Sequence, residues 1–198
     1  MLRNVSPSRS GSLRLFGIIT LLAVCLSAGI AVARMRGDGP AARLALSGQT
    51  ATLLSDGRVL IVGGERGSGA VARSEVFDPQ AGTTSRGATM AFPRAGHSAT
   101  LLPDGRVLIA GGRSGEIALD SVEVWDPQTR SFSIGGRLTT PRSGHAAVAL
   151  TDGRVVIAGG DAAGTIELFD GASFQALDLR LSAPRRDASA AMLRDGRV

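Results

Sequence analysis

The chain has 198 residues, 4% of them aromatic, with no tyrosine, one cysteine and a formal net charge of +5 in which arginine supplies the cations and lysine is absent. That composition excludes a disulfide-stapled scaffold, and the arginines alternate with aspartates instead of forming the basic run of a nucleic-acid-binding tail. Glycine, at 27 residues, implies many turns around a core of Val, Leu, Ile and Ala.

The first 14 residues carry Arg3, Arg9 and Arg14 among serines. From Leu15 to Ala33, "LFGIITLLAVCLSAGIAVA", no residue is charged. A hydrophobic helix of about 20 residues spans a bilayer, and a basic flank with an A-x-A ending also fits a cleaved secretory signal. Here Ala31 and Ala33 supply that ending. Residues 1–33 therefore read as a signal peptide or an N-terminal membrane anchor, and both imply export to a secreted, periplasmic or cell-surface location. Membrane contact is expected only through 15–33, if uncleaved. Cys25 lies inside this run and offers neither a disulfide nor a reactive thiol. Residues 34–45 read as a short linker.

From residue 46 the chain repeats itself. Asp-Gly-Arg-Val occurs at Asp56, Asp104, Asp152 and Asp195, and Gly-Gly pairs follow at Gly63-Gly64, Gly111-Gly112 and Gly159-Gly160. The pieces "SEVFDP", "VEVWDP" and "IELFD" come next, beginning at Ser74, Val122 and Ile166. Short runs such as "HSATLL", "RVLIA", "VEVW" and "SFSI" are rich in apolar and β-branched residues and predict strands. Asp-Gly marks a hairpin, because glycine accepts the positive φ of a tight turn, and Asp-Pro marks the next reversal. Each unit is thus a four-stranded antiparallel sheet. Such a sheet buries its faces only by stacking on its neighbours, and radial stacking gives a β-propeller.

In this pattern the chain resembles the kelch repeat family. The matching residues are His97 and His145 after glycine, the Gly-Gly pairs, and the strands Glu75 to Phe77 and Glu123 to Trp125. It is also similar to the propeller of galactose oxidase-like proteins. Gln49 and Ala188 depart from the histidine pattern, Thr84 from the aromatic that Phe132 and Phe174 supply, and Phe77 and Trp125 from the family's tyrosine. The resemblance implies an all-β, kelch-type propeller over 46–198. About three blades plus one strand can be drawn, so the propeller is expected to be incomplete and the chain truncated, since closed propellers have about four to eight blades.

Equivalent residues in successive units point to a structural role. His97 and His145 are expected to bond across blades, and Glu75, Glu123 and Glu167 to take part in blade-to-blade pairing with the in-register arginines after proline, Arg94, Arg142 and Arg185. The Gly-Gly pairs lack the motif of a phosphate loop and are expected to allow close strand approach. No catalytic residue, metal ligand or cofactor is expected. The loops after each second strand and the links between blades are rich in arginine, with Arg66, Arg73, Arg113 and Arg142 as the candidate binding rim. The expected partner is a protein or an anionic glycan, not nucleic acid. The function is expected to be that of a binding or protein interaction module. The alternative is a fragment of a secreted galactose oxidase-like oxidoreductase or a carbohydrate-active enzyme.

Overall fold

A computed structural model describes residues 46–67 and 69–198. The N-terminal helix expected over 15–33 lies outside them. The first blade contains β1 (Thr50–Leu53), β2 (Val59–Val62), β5 (Ser74–Asp78) and β6 (Thr83–Arg86), with a two-stranded hairpin, β3 (Glu65–Arg66) and β4 (Gly69–Ala70), in the loop after β2. The second contains β7 (Ser98–Leu101), β8 (Val107–Ala110), β11 (Ser121–Asp126) and β12 (Ser131–Arg137), with the hairpin β9 (Arg113–Ser114) and β10 (Ile117–Ala118). The third contains β13 (Ala146–Ala149), β14 (Val155–Ala158), β15 (Thr165–Phe169) and β16 (Phe174–Arg180). Each blade pairs its strands antiparallel in chain order once the small hairpins are set aside. The first strands of successive blades lie against one another, β1 by β7 and β7 by β13, which makes them the inner edge of the stack.

The Asp-Gly-Arg turn explains why strands one and two pair as they do. Leu54 N–H donates to Arg58 O at 2.8 Å around the loop Ser55-Asp56-Gly57, and Gly57 takes φ +84°. Asp56 closes the turn from within: its Oδ1 accepts from Arg58 N–H at 3.0 Å and its Oδ2 from Arg58 Nε at 2.7 Å. The same bonds recur at Asp104, Asp152 and Asp195. The arginine so held keeps the Asp56, Asp152 and Asp195 carboxyls below the usual carboxylate range.

Side chains from facing sheets bury one another in two clusters. Leu60, Val62, Val76, Val107, Ile109 and Trp125 fill the space between blades one and two, and Leu108, Val122, Val124, Val155, Ile157 and Phe169 that between blades two and three. Phe132 and Phe174 cover the outer ends of these clusters, so an aromatic on the last strand seals its blade against the preceding one. The fold is therefore all-β, with repeated four-stranded antiparallel sheets consistent with an incomplete propeller.

Two local features differ from the sequence reading. The fourth unit was expected to supply one strand, but 188–194 belongs to no sheet. Its entry is nevertheless in place: Asp187 N–H donates to Gly144 O at 2.7 Å, continuing bonds from Gly96 N–H to Gly48 O and from Gly144 N–H to Gly96 O, both 2.8 Å. Gly48, Gly96 and Gly144 all have φ between +63° and +67°, and Asp187 adopts φ +54° in their place. The small hairpins in the loops of blades one and two were not expected either, and the third blade has none. Its shorter loop is closed instead by Asp161, which accepts from Thr165 Oγ1 at 2.7 Å and Thr165 N–H at 3.1 Å.

Candidate functional site

The repeated polar residues converge where one blade meets the next. The link entering blade two, 87–97, lies against the loop of blade one: Met90 N–H donates to Ala72 O and Gly64 N–H to Arg94 O, both at 2.9 Å. Arg94 then turns into blade two. Its Nη1 donates to Gly111 O at 2.7 Å and Ser121 O at 2.9 Å, and its Nη2 to Glu123 Oε1 at 2.9 Å. Glu123 also accepts from the amides of Ala91 and Phe92 at 2.8 and 3.1 Å, so one carboxylate fixes both the guanidinium and the link that carries it. Burial pushes the Arg94 guanidinium down from its usual range, and the Glu123 carboxylate beside it opposes that shift.

Blade three repeats the arrangement. Arg142 donates to Gly159 O, Thr165 O and Glu167 Oε1 at 2.8, 3.0 and 2.5 Å, while Glu167 accepts from the amides of Thr139 and Thr140. Arg142 was expected on the binding rim; it is 0% exposed and cannot touch a ligand there. A link arginine looks like a surface residue in sequence, but the strand glutamate opposite it supplies the charge that makes burial tolerable.

Glu75 holds the same position in blade one and finds a different partner. Leu46 stands at the place of Arg94, so Glu75 Oε1 pairs instead with Arg73 from the solvent side at 2.8 Å. Its Oε2 is buried and has no hydrogen-bond partner among the described residues.

The histidines bridge inner strands. His97 Nε2 lies 2.8 Å from Thr50 Oγ1, and His145 Nε2 lies 2.9 Å from Ser98 Oγ, in each case across to the preceding blade. Both Nδ1 atoms are buried without a partner among the described residues. Burial, with Arg94 and His145 adding repulsion, holds the His97 pKa down at about 3; burial and Arg142 do the same for His145, also about 3. Both rings are neutral at physiological pH.

The Gly-Gly pairs make room for these bridges. A Cβ on Gly63 would come within 2.5 Å of Arg94 O and 2.7 Å of His97 Cε1, and one on Gly111 within 2.8 Å of Arg142 O. The second glycine faces its own blade: a Cβ on Gly112 would meet His97 Cβ at 2.9 Å, and one on Gly160 would meet His145 Cβ at 2.7 Å. Gly64 has the same relation to Gln49, while Gly159 faces the Arg185 carbonyl as Gly63 and Gly111 face those of Arg94 and Arg142. No side chain fits at these corners.

The rim divides into spent and free charges. Arg113, 39% exposed, is tied to Glu65 of the previous blade at 2.5 Å, Arg73 to Glu75, and Arg137 to Asp120. Arg66, Arg86, Arg180, Arg185 and Arg186 are exposed and form no ion pair among the described residues. The arginine excess counted in the loops is thus largely balanced by Glu75, Glu123 and Glu167, which lie on strands and escape a count of loop residues. Among the described residues no group of three or more His, Cys, Asp or Glu is placed to hold a metal ion.

Residues 93–139 match the family described as Kelch motif. That stretch runs from the link into blade two to the link out of it, and so contains the Arg94–Glu123 pair, His97 and Gly111-Gly112. No curated protein matches the chain. The solved structure of YjhT superposes with a TM-score of 0.61 at 14% identity, over 70% of this chain and 53% of that one. The chain spans about half the length of that structure. This is an all-β protein containing a kelch motif, with distant structural similarity to a propeller-fold protein.

Proposed function

We propose that the chain is an exported kelch-type binding module that holds an acidic protein or an anionic glycan against its loop rim. The observation that carries this reading is the division of labour among its polar residues. The histidines, the buried arginines and their glutamates are all engaged in joining blades, whereas Arg66 in the β3–β4 hairpin, Arg180 at the end of β16 and Arg186 in the link that follows stand exposed. Rigid scaffolds place recognition on such loops, and guanidinium forks grip carboxylates and sulfates through two parallel hydrogen bonds. The apolar segment 15–33 supports export, and an exported module meets acidic surface polymers.

The test is binding of polygalacturonate and of polyglutamate to the full-length protein, with neutral dextran as control, across a salt series. The triple variant R66E/R180E/R186E should lose most of the anion binding and flatten its salt dependence while keeping the fold. Equal binding of dextran, or unchanged anion binding in the variant, would remove the rim from consideration.

A further inference from the structure

We infer that blade one contains a guanidinium socket at Glu75, filled by no described residue and built to receive an arginine side chain or another alkylguanidinium. Blades two and three show the socket filled. In each, one guanidinium nitrogen bonds two backbone carbonyls, those of Gly111 and Ser121 or of Gly159 and Thr165, and the other bonds the strand glutamate. The matching acceptors in blade one are Gly63 O, Arg73 O and the Glu75 carboxylate. They are held by the same backbone link, since Gly63 N–H donates to Arg73 O at 2.9 Å as Gly111 N–H does to Ser121 O at 3.2 Å.

No described residue of blade one supplies the matching cation. Leu46 occupies the position from which Arg94 and Arg142 reach their glutamates. A small cleft opens there, lined among others by Leu46, Gln49, Gly63, Arg73 and Glu75. Arg73 reaches only Oε1, and Oε2 is left buried without a donor among the described residues. A buried carboxylate oxygen with no partner is costly, and a donor that reaches it removes that cost. The acceptors diverge from one another, two carbonyls on one side and a carboxylate on the other. A planar fork spans them and a single ammonium does not. This inference is independent of the rim reading.

Two sources share this chemistry: an arginine from residues 1–45 of the chain itself, and a guanidinium delivered by another molecule. Methylguanidinium is the probe, methylammonium its control, and the readout is a saturable shift of the Gln49 side-chain amide resonances in the full-length protein. Binding to the wild type that weakens about tenfold or more in E75Q, the loss of one charge-assisted pair, supports an open socket. L46R, which rebuilds the arrangement of the other blades, should block the probe and raise the melting temperature. Binding that appears only in R34Q/R36Q/R43Q assigns the occupant to the chain's own N-terminal segment. The inference is overturned if neither background gives a guanidinium-specific shift, or if the shift survives unchanged in E75Q.

Discussion

Replacing the same glutamate with glutamine in all three blades tests how the stack is held together. Glu123 accepts from Arg94 and two link amides, and Glu167 does the same with Arg142, Thr139 and Thr140; both pairs are 0–1% exposed. Glutamine keeps the volume but removes the charge and turns one acceptor into a donor facing N–H groups. Breaking a buried pair from one side costs about 3–5 kcal/mol, because the guanidinium stays buried and uncompensated. Among the described residues Glu75 has only Arg73, whose side chain is 36% exposed, and such pairs contribute about 0–1 kcal/mol. E123Q and E167Q should therefore lower the urea midpoint by about 2 M, taking a slope near 2 kcal/mol/M, while E75Q moves it little. Far-UV circular dichroism through the urea transition measures all three. An equal loss at the three positions would mean that the glutamates act through their own strands, and the account of the buried pairs would fail.

Acid should unfold the protein partly through its histidines. With folded pKa values of about 3 against an ordinary 6.5, the unfolded chain takes up protons first as pH falls. Each ring then removes about 1.4 kcal/mol of stability per pH unit from about 6.5 downward and has no effect above it. H145Q, which copies the natural Gln49, should remove one ring's share of that slope, and urea titrations at several pH values between 6.5 and 5 check this. At the corner between blades, G112A should cost more than about 3 kcal/mol, because the new methyl meets His97 and Ala95 at φ +96°, whereas G115A, at φ +60° in open space, should cost about 1 kcal/mol. Thermal melts separate the two, and similar losses would refute the contact explanation. Arg130 adopts φ +52° where blade one has Gly82 at φ +65°, so R130G should stabilise by up to about 1 kcal/mol in the same assay. Export predicts that protease reaches 46–198 once the outer envelope is opened while the cytoplasm stays sealed; recovery in the soluble cytoplasmic fraction would refute it.

Much of this fold was legible because its turns are written in residues that do little else. Asp-Gly-Arg, Gly-Gly and the Asp78-Pro79 reversal fix the strand ends, and the spacing between them sets the blade. The hairpins β3–β4 and β9–β10 were not legible, since Glu65-Arg66 and Arg113-Ser114 are polar and too short to alternate. The recurrence of arginine and glutamate was visible, but their burial was not. Placing Arg142 on the rim followed from its seat in a link, and only the register that brings Glu167 beneath it shows why a cation lies inside. The empty position in blade one left a faint mark in the sequence, Leu46 where the period calls for arginine. That mark gained meaning once Glu75 Oε2 was seen without a donor.

The bonds joining Gly48, Gly96, Gly144 and Asp187 separate two kinds of regularity in this molecule. Along the chain the beat is uneven: 48 residues separate the first three of these positions and 43 the last two. Around the axis the beat is kept, because every bond is closed at 2.7–2.8 Å, whatever length the intervening loops have taken. Angular phase is therefore reset once per blade, at the hub, and errors of length do not accumulate outward from one blade to the next. Insertions and deletions fall on segments that carry no timing. All the hub bonds also point the same way round, from each amide back to the carbonyl before it, so the array has a sense of rotation. A further blade can join it in one orientation alone.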